Sequence, residues 1–295
     1  MDAARRSEAD PDHRAAVGSV LESLGIDELD PLSDLDTAAA AGELCRAAGR
    51  VALPYPVVAA LLREPGGGPP LALVPTAGSA AADSWAVDHG DLFREWTCAD
   101  LDGRACRARP APSRLGTRLG PFVAPVEATG PAPGDGVGAR VDMHLTLGAW
   151  VVLGYVERAL ELAVEHVRGR VQFGQPLAAF QAVQFQLADA AVIVDGLREL
   201  CRFTLWRVVT NQEGARPDAL GVRLHALDGA RATLRTCQQL HGAAGLCDEY
   251  DVSILCRHIQ PALRLPFSAE RTADELAAAV ERSGFAGLFP HGGGR

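Results

Sequence analysis

The sequence predicts a mainly α-helical protein whose C-terminal half is an up-and-down helical bundle. The chain has 295 residues, of which 48% are apolar and only 5% aromatic, a mixture that favours packed helices. From about residue 137 onwards, apolar and charged residues recur at helical spacings of three and four. Glycine and proline clusters divide the chain into an N-terminal helical region (1–66), a small β middle domain (67–136), the bundle (137–285) and a flexible tail (286–295).

The N-terminal region contains three helix-like stretches, at 13–24, 36–50 and 57–63. In the middle region, short apolar runs at 71–75, 84–87 and 114–123 predict a few weakly signalled β-strands. The Gly-Pro-Ala-Pro-Gly run at 130–134 follows them, and we interpret it as a linker to the bundle.

The first bundle helix is predicted to run for roughly 25 residues from about Val141. Its apolar stripe should be buried: Val152, Val156, Leu160, Ala163 and Val167. The acidic residues on the opposite face, Glu157, Glu161 and Glu165, should be exposed. Further helices are predicted at 180–209, 217–240, 249–257 and 269–283, and the second of these four begins at Pro217 and ends at His241-Gly242.

The charged residues and cysteines exclude several functional classes. All 28 basic residues are arginine, so Schiff-base, pyridoxal-phosphate, phosphate-loop and kinase chemistry that depends on lysine is ruled out. A net charge of −9 without a basic run argues against nucleic-acid binding. The seven cysteines form no Cys-x-x-Cys pair, which indicates reduced core thiols and no metal site. The sequence lacks a signal peptide and any long apolar run, so we expect a cytoplasmic protein with no membrane association.

Two motifs in the bundle region are more specific. Arg-Val-Gln-Phe-Gly-Gln-Pro at 170–176 is followed by Phe-Gln-Ala-Val at 180–183 and Leu-Ala-Asp at 187–189. Spacing alone would indicate only a turn between two helices. The residues themselves closely resemble the acyl-CoA dehydrogenase family, and Gln-Gln-Leu-His-Gly-Ala-Ala-Gly at 238–245 resembles a second turn of that family. The resemblance is convincing from about residue 139 to 283, while the N-terminal helices look like a shortened version of the first domain of the family.

The resemblance implies FAD bound at a subunit interface. Arg170 would bind the flavin pyrophosphate through paired charge-assisted hydrogen bonds, with Gln172 and Phe173 beside it. From the neighbouring subunit, the family's second turn brings a glutamine side chain and glycine backbone to the adenosine half, which corresponds here to Gln239, His241 and Gly242. Ala243 replaces the second glycine of this turn, and helix C-capping is the alternative role for Gln239 and His241.

The catalytic base of the family is usually a glutamate beyond the second turn. Ungapped counting places that glutamate at Pro266, which cannot accept a proton. Two candidates remain: Glu270, the nearest carboxylate, and His144, where a minority of the family carries the base on the first bundle helix.

A chain without this glutamate, roughly a hundred residues shorter than complete members, resembles the β-type subunit of heterotetrameric actinobacterial steroid side-chain dehydrogenases. The resemblance implies desaturation of an acyl-CoA, with a partner subunit supplying the glutamate and an electron-transferring flavoprotein as acceptor. Two alternatives are a self-sufficient homo-oligomer that uses His144 or Glu270, and a structural partner without catalysis.

Overall fold

A computed structural model of the chain describes residues 1–10, 12–64, 66–77, 84–112, 119–132, 137–210 and 214–283. The predicted flexible tail, 286–295, and the first half of the predicted strand at 114–123 lie outside these ranges, and of its described half only Val123 belongs to a strand. The described residues form an N-terminal group of helices, a small sheet and a C-terminal helical bundle, in that order. The predicted fold class is therefore confirmed.

The helices account for most of the ordered residues. They are α1 (Asp2–Ala9), α2 (Asp12–Ser23), α3 (Leu35–Arg50), α4 (Val57–Leu61), α5 (Val137–Gly169), α6 (Gln181–Thr210), α7 (Arg216–His241), α8 (Asp251–His258), α9 (Gln260–Arg264) and α10 (Ala269–Ser283). Apart from α5, each predicted helix begins and ends within two residues of the prediction. Helix α7 has Pro217 in its first turn and Gly242 as its C-cap with φ +61°, as its flanking residues predict.

Helices α1 and α9 were not predicted from the sequence. Helix α1 is short and mostly polar, so it carries no apolar stripe that would reveal it. Tertiary contacts hold it instead: Glu8 pairs with Arg257 at 3.1 Å and with His258 at 2.5 Å on α8. A helix that is stabilised by residues far away in the sequence cannot be predicted from its own residues.

The middle region is a five-stranded sheet in the order β1-β3-β4-β5-β2. Its strands are β1 (Leu71–Leu73), β2 (Ser84–Asp88), β3 (Trp96–Ala99), β4 (Ala105–Pro110) and β5 (Val123–Pro131). The pair β1 and β3 is parallel, and the other pairs are antiparallel. The sheet packs its own small core around Trp96, whose indole Nε1 donates to the carbonyl oxygen of Gly90 at 3.0 Å.

The predicted linker at 130–134 is partly wrong, because its first two residues belong to β5. Gly130 lies opposite Arg107 and Pro131 lies opposite Cys106 on β4. A proline at the end of a strand interrupts little of the hydrogen-bond ladder, so the breaker signal did not exclude a strand here.

Helix α5 is longer than predicted and is the centre of the bundle. It has 33 residues and packs against α3, α6 and α7. Its apolar stripe is buried as expected except for the half-buried Leu160, but the opposite face is not simply solvated: Glu157 is only 6% exposed. The Glu157 carboxylate forms ion pairs with two arginines: Oε2 lies 2.8 Å from Nη1 of Arg46 on α3, and Oε1 lies 3.0 Å from Nη2 of Arg198 on α6. Paired charges therefore join three helices where the sequence predicted an exposed face. Among the described residues, no helix combines the length and the apolar character needed to cross a bilayer.

Helices α3 and α5 cross at two glycines. A Cβ at Gly49 would lie 2.0 Å from the carbonyl oxygen of Val151, and one at Gly154 would lie 2.0 Å from that of Arg46. No atom pair packs at that distance, so each glycine permits a backbone contact that any other residue would prevent. The crossing fixes the position of α5 relative to the N-terminal helices.

We predict that Gly154→Ala lowers the free energy of unfolding by about 3 kcal/mol, because the added methyl group forces two packed helices apart. Gly221→Ala on α7 is the matched control, since its Cβ would meet nothing within 4 Å. That control should be neutral or stabilising by about 0.5 kcal/mol through helix propensity. Urea unfolding of both variants measures the difference, and equal stabilities would contradict the close crossing.

A second prediction concerns the buried carboxylate. Glu157→Gln should destabilise the fold by about 2 kcal/mol, because it leaves Arg46 and Arg198 facing a neutral group in a partly buried site. Glu161→Gln removes a carboxylate that is 43% exposed and pairs with Arg50, so it should cost less than about 0.5 kcal/mol. The pair is compared by thermal and urea unfolding; a larger effect at Glu161 would be inconsistent with a central role for Glu157.

Candidate functional site

A cavity of about 180 Å³ lies where the sheet meets the helices. Its walls come from α3, α4, β1, β2, β3, α5, α7, α8 and α9. His144 on α5 and Pro266 after α9 both line it. The structure therefore brings together a candidate base and the position that the resemblance assigns to the catalytic glutamate.

His144 faces the cavity from the N-terminal half of α5. Burial, and next the positive charge of Arg223, lower the pKa of His144 to about 4. The imidazole is therefore neutral at pH 7 and holds a proton only weakly. A base works best when its pKa lies near the working pH, so His144 is poorly matched to proton abstraction at neutral pH.

The structure places Glu270 away from the cavity. This residue lies in the first turn of α10, is exposed, and is absent from the cavity walls. A hydrogen bond from the Ser268 side chain lowers the pKa of the Glu270 carboxyl. Because α10 begins at Ala269, just after Pro266, the chain turns away before it reaches this carboxylate.

Sequence reasoning missed several titratable groups in the cavity wall: Asp88, His89, Tyr155, Arg223 and His258. Arg223 could have been found, because it falls midway between Ala219 and Leu227 on the buried stripe of α7. A charged residue four positions from apolar neighbours on both sides is an anomaly in an amphipathic helix. The other four groups lie on different helices and strands, and no pattern in the sequence shows that these elements pack around one cavity.

Two neighbouring groups at the end of β2 have shifted pKa values in opposite directions. Burial raises the pKa of Asp88 to about 7 and, helped by the charge of Arg14, lowers the pKa of His89 to about 3. The His89 ring lies against Phe122, with 4.9 Å between ring centroids. Desolvation thus favours the neutral form of both groups.

The Arg-Val-Gln-Phe-Gly-Gln-Pro motif forms a small hairpin after α5. Strands β6 (Val171–Gln172) and β7 (Gln175–Pro176) pair antiparallel around Phe173 and Gly174, whose φ values are +52° and +80°. Two consecutive left-handed residues are typical of a tight hairpin turn. Phe173 is 92% exposed at its tip, and Arg170 and Gln172 are also exposed.

The second motif lies at the C-terminal end of α7, beside the first. The ring of His241 stacks on that of His166 in α5, with 4.5 Å between centroids. Arg170 follows one turn later, and its backbone N–H donates to the carbonyl oxygen of His166 at 2.9 Å. The two predicted flavin-binding motifs therefore lie together at one end of the bundle of a single chain, whereas the resemblance led us to expect the second turn from the neighbouring subunit.

The individual residues of this second motif differ in availability. His241 is buried, and its Nδ1 lies 2.7 Å from the carbonyl oxygen of Cys237, so its ring is already engaged within the helix end. Gln239 is exposed, and a Cβ built on Gly242 meets nothing within 4 Å. The backbone at this turn is open to a group approaching from outside.

These residues fit the phosphates of a dinucleotide presented from outside the chain. Within the described part of the chain, the exposed Arg170 guanidinium has no carboxylate partner, while Gln172, Gln239 and the open turn at Gly242 face outward. Arginine pairs readily with phosphate oxygens in such a position. Arg170, Gln172, Gln239 and Gly242 are thus exposed at the end of the bundle, whereas His144 and Pro266 line the cavity between the sheet and the helices.

Comparison with known proteins identifies a family for the C-terminal half. The sequence model of the family described as acyl-CoA dehydrogenase, C-terminal domain, matches residues 143–263. The short-chain specific acyl-CoA dehydrogenase of Megasphaera elsdenii is 34% identical over 136 residues, covering 43% of this chain and 34% of that protein. The probable acyl-CoA dehydrogenase YngJ of Bacillus subtilis is 32% identical over 109 residues, covering 37% of this chain and 28% of that protein. The aligned segment thus spans about a third or less of these curated relatives.

Solved structures resemble the fold over nearly the whole chain. The ChsE4-ChsE5 complex from Mycobacterium tuberculosis matches with a TM-score of 0.72 and 16% identity, over 95% of this chain and 98% of that chain. The Tcur3481-Tcur3483 steroid ACAD matches with a TM-score of 0.70 and 21% identity, over 97% of both chains. At these low sequence identities, the structural matches show only that the fold is shared. The evidence for the family is the sequence match of residues 143–263. Residues 143–263 of this chain thus match the C-terminal domain of the acyl-CoA dehydrogenase family.

Proposed function

We propose that the chain is a subunit of an FAD-dependent acyl-CoA dehydrogenase in which a partner subunit supplies the catalytic glutamate. One observation carries the proposal: Pro266, at the position of that glutamate, lines the internal cavity and has no group that accepts a proton. The site in this chain is therefore incomplete for removal of an α-proton, while Arg170, Gln172 and Phe173 of the first flavin-binding motif are present and exposed.

The other two candidate bases do not replace the glutamate. His144 lines the cavity, but its pKa of about 4 makes it a weak base at neutral pH. Glu270 is exposed and lies outside the cavity wall. If a partner subunit supplies the glutamate, this chain needs no base of its own, which agrees with the low pKa of His144 and the position of Glu270 outside the cavity wall.

The flavin would lie between the subunits. Arg170 would bind its phosphates from the exposed hairpin, and Gln172, Phe173, Gln239 and Gly242 would contact the same dinucleotide at the end of the bundle. Bound FAD supplies the hydride acceptor for the desaturation of the acyl-CoA. His241, buried beneath this surface, would hold the turn in place and leave contact with the cofactor to its neighbours.

Exposed apolar side chains support an interface at this end of the bundle. Large apolar residues are exposed on the hairpin, along α6 and in the turn after α7: Val171, Phe173, Phe185, Val192 and Leu246. Exposed apolar surface of this kind is typical of a protein–protein interface. Because two structural neighbours are named as a complex and as a steroid ACAD, we propose a heterotetramer that acts on an acyl-CoA such as a steroid side-chain CoA. The free cysteines agree with a reducing, cytoplasmic location, where an electron-transferring flavoprotein would be the acceptor.

We predict that the chain purifies without flavin by itself and forms a yellow heterotetramer when co-expressed with a dehydrogenase subunit that retains the glutamate. Arg170→Met in this chain should lower the flavin content of the complex at least about tenfold, because a charge-assisted phosphate contact is lost. Arg168→Met is the matched control, since Arg168 is a nearby exposed arginine at the end of α5 that we assign no role. Visible flavin absorbance per complex and oligomer mass are the measurements.

Two results would argue against the proposal. Equal flavin content in the Arg170 and Arg168 variants would remove Arg170 from the cofactor site. A yellow homo-oligomer that an acyl-CoA bleaches without a partner would instead favour a self-sufficient enzyme, and loss of that bleaching in His144→Asn would identify His144 as its base.

A further inference from the structure

Arg223 is a buried arginine without a counter-charge. It lies in the middle of α7, is only 9% exposed, and lines the internal cavity. Its Nη2 donates to the carbonyl oxygens of Leu265 at 2.8 Å and Phe267 at 3.0 Å. Its Nε is buried with no hydrogen-bond partner, and within the described ranges no carboxylate pairs with the guanidinium.

The pKa of this group agrees with the missing counter-charge. Burial by itself lowers the pKa of Arg223 to about 10, so no nearby anion offsets the loss of hydration. By contrast, a hydrogen bond to Glu157 raises the pKa of Arg46. A buried guanidinium is unfavourable unless it is paired, and two carbonyl oxygens satisfy only part of its five donors. Arg223 thus retains unused donors and an uncompensated positive charge beside an empty space.

The remaining walls of the cavity are mostly apolar. They include Leu53, Val57, Val58, Leu73, Val151 and Ala262. The volume of about 180 Å³ is slightly larger than that of an engineered apolar cavity of about 150 Å³ that holds benzene in another protein. A ligand with six or seven carbon atoms would therefore fit.

We propose that this cavity binds a small monocarboxylate, with Arg223 holding the carboxylate group and the apolar walls surrounding the hydrocarbon part. An anion supplies the missing counter-charge and accepts hydrogen bonds from the unused donors of the guanidinium. The acyl end of a thioester is uncharged and would not do so. The inference concerns this chain alone and does not depend on a partner subunit or a flavin.

Other titratable groups also face the cavity: Asp88, His89, His144, Tyr155 and His258. Asp88 is the one acid among them, and with a pKa of about 7 it is largely protonated at pH 6. His144 and His89 are neutral at that pH, and His258 is held by Glu8 at 2.5 Å. At pH 6 a bound carboxylate therefore meets the positive charge of Arg223, and the carboxyl group in the described cavity wall is that of Asp88, whose pKa burial raises.

The test is isothermal titration calorimetry of the full chain at pH 6 with benzoate and hexanoate, each against its neutral amide. Benzamide and hexanamide match the carboxylates in size but carry no charge. We expect each carboxylate to bind at least about tenfold more tightly than its amide, since a charge-assisted pair replaces a neutral hydrogen bond. Equal affinities, or no carboxylate binding at millimolar concentration, would overturn the proposal and leave Arg223 with a structural role only.

Variants separate the charge from the fold. Arg223→Gln keeps a donor for the carbonyl oxygens of Leu265 and Phe267 but removes the charge, so its carboxylate affinity should fall to that of the amide. Arg207→Gln is the control: Arg207 is another buried arginine of the bundle, it pairs with Asp218, and it is absent from the cavity wall. Unchanged carboxylate preference in Arg223→Gln would contradict the proposal.

A second measurement needs no variant. In the wild-type chain, an anion on Arg223 should raise the pKa of the neighbouring His144, which the Arg223 charge now helps to lower. An NMR titration of the imidazole resonances should show this rise with benzenesulfonate, an apolar anion that stays ionised at about pH 4, where His144 titrates, and not with the neutral benzenesulfonamide. A His144 pKa that responds equally to both ligands would refute the assignment even if Arg223→Gln fails to fold.

Discussion

The close crossing of α3 and α5 places the longest helix of the protein, because Gly49 and Gly154 let the two backbones touch. With 33 residues at 1.5 Å each, α5 is about 50 Å long. His144 lies near its N-terminal end, and the hairpin that begins at Arg170 follows its C-terminal end. The glycine contact therefore sets the position of both the internal cavity and the external motif. The ion pairs of Glu157 with α3 and α6 also fix the position of α5 along its own axis. A shift of α5 along that axis would leave the buried Glu157 carboxylate unpaired.

The molecule separates two kinds of chemistry onto two surfaces. The motif that we propose to bind flavin is exposed at one end of the bundle, with Arg170 unpaired among the described residues and Phe173 projecting from the hairpin. The cavity faces inward between the sheet and the helices, and Pro266 occupies its wall where the family resemblance expects a base. An exposed cofactor motif and an incomplete internal site are what a subunit that depends on a partner would present. The family match of residues 143–263 is compatible with this division but does not by itself require it.

Two buried charges illustrate how pairing distinguishes structure from binding. Glu157 is surrounded by arginines from two other helices, so its burial is explained within the chain. Arg223 is buried to a similar degree, but its partners among the described residues are the carbonyl oxygens of Leu265 and Phe267 and the Phe267 ring, whose centroid lies 5.2 Å from the guanidinium carbon. Burying either charge is unfavourable unless an opposite charge pairs with it. Glu157 is paired within the chain and joins three helices, whereas Arg223 is the group that we propose binds an anion. Nearby, desolvation drives Asp88 and His89 towards their neutral forms, which leaves Arg223 as the dominant charge facing the cavity at mildly acidic pH.

The sequence by itself determined the local features: the helices of the bundle, the stop at Gly242, the motif around Arg170 and the proline at position 266. These depend on periodicity, capping and short motifs, which are encoded within a few consecutive residues. Only the tertiary structure decided that the acidic face of α5 is buried at Glu157 and that Gly130 belongs to a strand. It also decided that Arg223 meets the cavity containing His144, because this contact joins α5 and α7, whose approach no local pattern specifies. A charged residue can be recognised in a sequence, but the residues that the fold packs around it decide whether it is solvated, paired within the chain or buried without a counter-charge.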